Sequence, residues 1–265
     1  MKLAITGKGG VGKTTLTSLL AYLYAEQGRV VLAIDADPSP CLGPALGFTR
    51  EALRGLAPIA EMGALIHERT GAQPGTMGGY FKLNPRVDDL PDRFALAQRG
   101  IRLLQLGAVE KGGSGCICPE SVLLKQLVTH ILLRRDEVVL LDMYAGVEHL
   151  GRATVSAVDA LVIVVEPGRR SLDTAAQITA LAADIGLTRL FLVGNKVVTA
   201  ADRAYITQHS PGLAVLGHLP YTLEAQAAER DGLAAYDVSP ALVAAARPIA
   251  LALDQLAEAR ASTPT

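Results

Sequence analysis

The sequence lacks the features that would direct a protein to a membrane or to nucleic acid. No uninterrupted apolar run in its 265 residues approaches the ~18 residues that span a membrane. The segment from Ser239 to Thr265 contains no lysine, and the net charge of −1 provides no basic footprint. We therefore expect neither a cationic membrane-targeting tail nor nucleic-acid binding.

Cysteine is also scarce, with three residues in the chain. The first recognisable motif begins at residue 7, so we expect no signal peptide before it. Few cysteines without an export signal indicate a cytoplasmic, reducing setting, where thiols stay free or bind metals. Half of the residues are hydrophobic, which is enough for a large core, and the length suits one domain over residues 1–265.

Mostly continuous apolar runs predict strands that are buried on both faces. These runs are Leu3–Thr6, Val30–Asp35, Ile101–Leu106, Glu137–Met143, Ala160–Glu166, Leu190–Lys196 and Leu213–Leu219. Helical patterns lie between several of them, at Leu16–Gln27, Glu120–Leu133, Ser171–Ile185 and Ala241–Glu258. The alternation predicts a three-layer α/β fold with a mostly parallel sheet and helices on both faces.

One segment interrupts this alternation. Residues 70–92 are rich in Gly, Pro and Asp, which predicts an irregular excursion on the surface. Within it, Lys82–Val87 is a candidate for a short edge strand. A mobile loop without a special role and a segment that contacts a partner are both open interpretations.

The strongest motif is GKGGVGKTT, between the first predicted strand and the first predicted helix. It fits G-x-x-x-x-G-K-[ST] at Gly7, Gly12, Lys13 and Thr14. Its four glycines let successive N–H groups face one point, where the dipole of the next helix also favours an anion. The residues predicted to bind ATP here are Gly9, Gly10, Val11, Gly12, Lys13, Thr14 and Thr15. Lys13 can reach the β- and γ-phosphates, and the Thr14 hydroxyl can ligate Mg²⁺.

Two aspartates follow predicted strands. Asp37 is placed to orient water or to bind Mg²⁺ through water, and its alternative role is to cap the turn before Pro38. Asp142 closes a strongly apolar strand in a Walker-B pattern, which predicts a place in the Mg²⁺ shell. Gly146 can offer its N–H to the γ-phosphate, and a segment held in this way is a nucleotide switch.

Asn195 and Lys196 follow a late strand, where many nucleotide switches recognise the base. Guanine readers add an aspartate two residues after the lysine, and here that residue is Val198. The sequence therefore favours adenine, so ATP over GTP. The alternative for Asn195 is a turn residue at the end of a strand.

Lys8 is not needed to cradle phosphates. It resembles the signature lysine of the deviant Walker-A ATPases, the group of MinD, ParA, ArsA and the nitrogenase iron protein. The residues that carry this resemblance, in order, are Gly7 to Thr14, Asp37, Asp142, Gly146 and Asn195. It implies a P-loop NTPase fold and a homodimer in which Lys8 reaches the partner's nucleotide and acts in catalysis with Lys13 and Asp37. A lysine that faces solvent and adds positive potential is the alternative.

Cys116 and Cys118 lie one residue apart in a Gly-rich turn before a predicted helix. A soft tetrahedral metal site needs four ligands, and a twofold dimer would supply two from each subunit. Free thiols and a redox pair are the alternatives.

This pair follows Lys111–Ser114. Together with residues 35–42 and 142–150, this arrangement resembles the corresponding segments of the CooC-type maturation ATPases of carbon monoxide dehydrogenase. The resemblance implies Ni²⁺ or Zn²⁺ at the cysteine pair, ATP turnover coupled to nickel delivery, and that dehydrogenase as the client. Tyr144 is bulkier than the small residue expected there. The rival interpretations are an electron donor with a cysteine-held iron–sulfur cluster, like the nitrogenase iron protein, and a MinD- or ParA-like positioning ATPase.

Overall fold

The computed structural model describes residues 1–73, 80–107, 118–134, 137–147 and 157–261. Its strands within this part are β1 (Lys2–Thr6), β2 (Val31–Ala36), β3 (Leu96–Gln98), β4 (Ile101–Gln105), β5 (Val138–Met143), β6 (Ala160–Val165), β7 (Leu190–Val197) and β8 (Ala214–Pro220). They form one sheet in the order β3-β4-β2-β5-β1-β6-β7-β8. Every neighbouring pair is parallel except β3 and β4, which are antiparallel.

Helices connect the strands and cover the sheet. In the described residues they are α1 (Lys13–Glu26), α2 (Leu42–Ala45), α3 (Arg50–Arg54), α4 (Gly63–Thr70), α5 (Leu90–Phe94), α6 (Pro119–Arg134), α7 (Arg169–Asp184), α8 (Ala200–Gln208), α9 (Leu223–Asp231), α10 (Ala235–Val238) and α11 (Pro240–Ala261). A short 3₁₀ turn spans Ile59–Glu61.

The sheet is buried on both faces, which explains why its strands are continuous apolar runs. Successive residues of a strand point to opposite faces. Leu3 and Ile5 of β1 therefore pack into one core with α1 and α11. Ala4 between them packs into a second core with α6 and α7. The predicted three-layer α/β fold is confirmed, with all seven predicted strands present.

The sheet edge differs from the prediction. Lys82–Val87 is not a strand, because Pro85 lacks the N–H that a ladder needs, and Val87 instead packs into the core below α4 and α6. The edge position is taken by β3, which turns into β4 through Arg99 and Gly100, both at positive φ (51° and 79°). That two-residue hairpin escaped notice because Arg replaces the usual Asn or Asp at its first position.

One helix of the described part, Pro240–Arg260 within α11, is long and apolar enough to cross a membrane by length and composition alone. Its Leu242, Ile249 and Leu253 are buried in the core formed with α1 and the sheet. These side chains therefore cover β8 in the folded chain.

Gly217 of β8 tests this close packing. A Cβ at Gly217 would lie 2.7 Å from Cγ1 of the buried Ile249. Gly217→Ala should therefore lower the free energy of unfolding by ~1–3 kcal/mol. The control is Gly55→Ala, where a Cβ would make only an ordinary contact, 3.7 Å from the Ala52 carbonyl oxygen. Urea unfolding of both variants checks the difference, and equal stability would contradict the close approach of α11 to β8.

Candidate nucleotide-binding site

The glycine-rich loop connects β1 to α1 and has the conformation that phosphate binding needs. Gly7, Gly10 and Gly12 have positive φ angles of 147°, 79° and 95°. A Cβ at Gly7 would overlap the Val164 carbonyl oxygen of β6. The backbone conformation therefore favours glycine at all three positions, and at Gly7 a side chain would also collide with the neighbouring backbone.

The predicted base-recognition residues contact this loop directly. The Asn195 side-chain amide donates to the Val11 carbonyl oxygen at 2.7 Å, and a Cβ at Gly12 would overlap that amide. Lys196 has a left-handed φ of 56°, and its Nζ donates to the Gly10 carbonyl oxygen at 2.6 Å. The structure thus places Asn195 and Lys196 as braces of the phosphate loop, and adenine recognition by Asn195 stays a prediction.

The start of α1 meets the end of β5 at this loop. Lys13 lies at the first position of α1 and is 7% exposed. The Thr14 hydroxyl donates to Oδ2 of Asp142 at 2.7 Å. The other oxygen, Asp142 Oδ1, is buried and has no hydrogen-bond partner among the described residues. A hydroxyl beside a carboxylate with an unsatisfied oxygen is a donor set that fits Mg²⁺ and its water shell.

A second buried carboxylate, which the sequence analysis left out of the site, lies beside Asp142. Asp35 is the next-to-last residue of β2 and lies in register with Asp142 of β5. It accepts hydrogen bonds from the backbone N–H groups of Leu42 (2.9 Å) and Asp37 (3.2 Å). Asp35 therefore fixes the ends of the loop that carries Asp37. The signal was present, since Asp35 closes an apolar strand just as Asp142 does.

Burial dominates the protonation of both carboxyls. It raises the pKa of Asp142 to about 7, against the opposing hydrogen bond from Thr14 and with a further rise from the charge of Asp35. Burial likewise raises the pKa of Asp35 to about 6, although the N–H groups of Leu42 and Asp37 oppose the rise. Positive charge at this edge would favour the ionised forms.

Asp37 makes the turn that its alternative interpretation predicted. Its Oδ1 accepts a hydrogen bond of 2.9 Å from the backbone N–H of Ser39, so the bond spans Pro38. The side chain is partly exposed at the same edge as Asp35. Its role in orienting water stays a prediction.

The segment after β5 is folded against β1. Gly146 has a φ of 152°, and its N–H donates to the Thr6 hydroxyl at 3.2 Å. The same hydroxyl lies 2.9 Å from the Tyr144 carbonyl oxygen. The predicted γ-phosphate donor therefore has a protein acceptor in this structure. Thr6 was missed by the sequence analysis because one threonine ending an apolar strand carries no motif.

The remaining predicted residues are not gathered at this site. Lys8 lies in the turn of the loop and is partly exposed. Cys118 is 4% exposed and precedes α6, whereas Cys116 lies outside the described residues. Among the residues that the structure describes, no three His, Cys, Asp or Glu side chains are grouped as metal ligands.

A glycine-rich loop between a buried strand and a helix, with a Walker-B aspartate on the adjacent strand, defines a P-loop nucleotide-binding protein. Residues 2–234 match the family described as CbiA, the CobQ/CobB/MinD/ParA nucleotide binding domain. The chain is 49% identical over 241 residues, 91% of each chain, to the carbon monoxide dehydrogenase accessory protein CooC of Rhodospirillum rubrum. It is 47% identical to an uncharacterised ATP-binding protein of Methanocaldococcus jannaschii, over 84% of this chain and 86% of that one.

Solved structures show the same fold. The MinD cell division protein of Aquifex aeolicus superposes with a TM-score of 0.66 at 21% identity, over 96% of this chain and 97% of that one. A ParA family ATPase from Chlorobium tepidum gives a TM-score of 0.67 at 18% identity, over 94% and 97%. The chain belongs to the CobQ/CobB/MinD/ParA nucleotide-binding family and, within it, to the CooC-type group. It is an ATP hydrolase of the P-loop class.

The raised pKa values predict how stability depends on pH without Mg²⁺ and nucleotide. Between about pH 4 and pH 7, Asp35 and Asp142 hold protons in the folded state that the unfolded chain, with a pKa of 3.8, has lost. The folded state then binds more protons, so raising the pH should lower the free energy of unfolding. Asp142→Asn keeps an acceptor for Thr14 but cannot ionise, and should flatten this fall. Urea midpoints at about pH 5 and about pH 8 measure it.

The control for this prediction is Asp173→Asn. The Asp173 side chain is 66% exposed on α7, so this variant should keep the wild-type pH dependence. An equal fall in the wild-type and Asp142→Asn proteins would mean that Asp142 is ionised in the folded state.

Proposed function

We propose that this protein is a cytoplasmic, homodimeric ATPase that couples ATP binding and hydrolysis to metal handling, with nickel as the favoured cargo, in the maturation of carbon monoxide dehydrogenase. The observation that carries the proposal is the similarity to the dehydrogenase accessory protein across 91% of both chains. A likeness over part of the chain would speak only for the nucleotide-binding core.

The ATPase half of the proposal is supported by the geometry of the phosphate loop. Its N–H groups and Lys13 bind the phosphates, and Thr14 with Asp142 would hold Mg²⁺, which neutralises phosphate charge when bound. Asp37 orients a water whose oxygen bonds to the γ-phosphorus while the bridging bond to ADP breaks. The adenine-specific role of Asn195 belongs to the same proposal.

The dimer is supported by the position of Lys8. Its backbone belongs to a turn that Lys196 braces through the Gly10 carbonyl, while Gly9 and Gly10 are exposed. Within the described chain, no hydrogen bond or ion pair engages the Lys8 ammonium. A braced, partly exposed turn whose lysine has no ionic partner among the described residues suits a group that stabilises the phosphoryl group on a second subunit.

The metal half rests on the cysteine pair. Two cysteines from each subunit would form a thiolate site on the twofold axis. Cys118 is buried in the single subunit, so this site requires its side chain to turn outward in the dimer. Dimer closure on ATP would then change the geometry around the ion and couple hydrolysis to its release.

Lys8 and Lys13 should have separable roles. Lys13→Ala should abolish turnover, because the phosphates lose their own subunit's cation. Lys8→Ala should lower turnover about a thousandfold or more while changing ATP affinity only a few-fold, since it acts on the transition state. Steady-state hydrolysis and equilibrium nucleotide binding measure the two effects, with the exposed Lys125→Ala as the control.

Mixing the two inactive proteins decides which subunit uses Lys8. If Lys8 acts across the dimer, subunits with Lys8→Ala and subunits with Lys13→Ala should together regain hydrolysis, because one site of each mixed dimer has both lysines. A mixture that stays inactive, or an equal collapse of ATP binding in both variants, would mean that Lys8 works in its own subunit.

The cysteine pair should determine the metal content. Under reducing conditions we expect one divalent ion per wild-type dimer, and its loss in both Cys116→Ser and Cys118→Ser. Cys41→Ser is the matched control, because this exposed thiol at the start of α2 is not part of the proposed site. Elemental analysis with and without ATP measures the content. Unchanged metal content and dimerisation in Cys116→Ser would refute the axial site, and the visible absorption of an iron–sulfur cluster would favour the electron-donor alternative.

A further inference from the structure

Thr6 is a buried polar residue at the centre of the sheet edge that carries the nucleotide site. It is the last residue of β1 and is 0% exposed. Its hydroxyl accepts the Gly146 N–H at 3.2 Å and lies 2.9 Å from the Tyr144 carbonyl oxygen and 3.0 Å from the Gly146 carbonyl oxygen. The Thr6 oxygen therefore accepts a hydrogen bond from the loop after β5, and its single O–H has two carbonyl oxygens of the same loop within reach.

These contacts follow from the sheet. β1 lies between β5 and β6, and Ile5 is in register with Asp142. The next residue of β1 thus lies beside the chain that leaves Asp142. The loop that Thr6 holds follows Met143, the neighbour of Asp142, whose carboxylate accepts a hydrogen bond from the Thr14 hydroxyl. Any movement of the loop therefore occurs next to the proposed Mg²⁺ ligands.

The chemistry of Thr6 distinguishes it from a packing residue. Valine has nearly the same shape and would suit a buried strand end equally well, but it has no hydroxyl. Without that hydroxyl, the buried Gly146 N–H would lose the acceptor that the structure gives it. A buried N–H without a partner is unfavourable, so the hydroxyl stabilises the loop in the conformation seen here.

We propose that Thr6 is a positioning residue that holds the Gly146 N–H when no γ-phosphate is present and releases it to the γ-phosphate of ATP. This inference rests on the proposed role of Gly146 as a phosphate donor. Gly146 then exchanges one acceptor for another, rather than capturing ATP with a free donor. Thr6 thereby limits the preference for ATP over ADP. After hydrolysis, it stabilises the return of the loop to the conformation seen here.

The test compares Thr6→Val with the conservative Thr6→Ser in the full-length protein. The measurement is the affinity for Mg²⁺–ADP and for a non-hydrolysable Mg²⁺–ATP analogue. In Thr6→Val, only the triphosphate gives Gly146 an acceptor, so the preference for the analogue over ADP should rise about three- to tenfold. The affinity for ADP should change little, and Thr6→Ser should match the wild type. An unchanged preference in Thr6→Val, or an equal shift in Thr6→Ser, overturns the proposal.

Hydrogen exchange of the Gly146 amide separates this inference from its premise. Without nucleotide, the amide should be protected in the wild type and should exchange faster in Thr6→Val. Addition of the analogue should restore protection in the variant. Slow exchange in nucleotide-free Thr6→Val overturns the role of Thr6. Fast exchange that the analogue does not slow overturns the contact of Gly146 with the phosphate, and the proposal with it. If Thr6→Val does not fold, an unprotected Gly146 amide in the wild type overturns the proposal equally.

Discussion

The parallel sheet places the carboxyl ends of its strands at one edge, and the whole site depends on that constraint. β1 delivers the phosphate loop, β2 and β5 deliver Asp35 and Asp142 in register, and β7 delivers Asn195. Residues far apart in sequence meet there because each lies at, or directly after, the carboxyl end of a buried strand. The phosphate loop approaches β6 and β7 so closely that a Cβ at Gly7 would overlap the Val164 carbonyl oxygen, and one at Gly12 would overlap the Asn195 amide. Glycine at these two positions therefore allows the loop to contact both strands.

Burial of two neighbouring carboxyl groups at this edge disfavours their ionised forms. Two buried carboxyls lie in register, and burial raises the pKa of each. Such a pair is poorly stabilised by the apolar strands below it and well stabilised by a divalent cation with its waters. The site is thus arranged to bind a positively charged group.

The fold could be predicted from the sequence wherever the pattern of apolar residues indicates which segments are buried. β1 and β5 are recognisable because both faces of the sheet are covered, which leaves apolar runs. The prediction of an edge strand at Lys82–Val87 was wrong because a short run of mixed polarity does not indicate which segment pairs with the edge of the sheet. Pro85, which lacks a backbone N–H, argued against a strand there. β3 has three residues and depends on a hairpin at Arg99, whose left-handed backbone is supported by contacts that only the folded chain brings together.

The site shows the same division. Motif residues such as Lys13 and Asp142 could be predicted, because each has a side chain of the expected chemistry at a fixed position relative to a predictable strand or helix. Thr6 could not, since its importance comes from a loop 140 residues away in sequence. Asp35 was visible as a strand-ending carboxylate, but the sequence analysis assigned the water-orienting role to Asp37, which follows the same strand. The hydrogen bonds that Asp35 and Asp37 accept distinguish their roles, and only the folded structure shows these hydrogen bonds.

The hydrogen bond from Lys196 to the Gly10 carbonyl has a consequence for association. With Asn195 holding the neighbouring Val11 carbonyl, the backbone beneath Lys8 is ordered in the isolated subunit. A macromolecule that engages Lys8 therefore has to immobilise one side chain and not a whole glycine-rich turn, whose ordering would cost far more conformational entropy. The glycines that let the loop bind phosphate would otherwise leave it with many conformations, which disfavours binding of a macromolecule. The side chains of Asn195 and Lys196 from β7 reduce this conformational freedom.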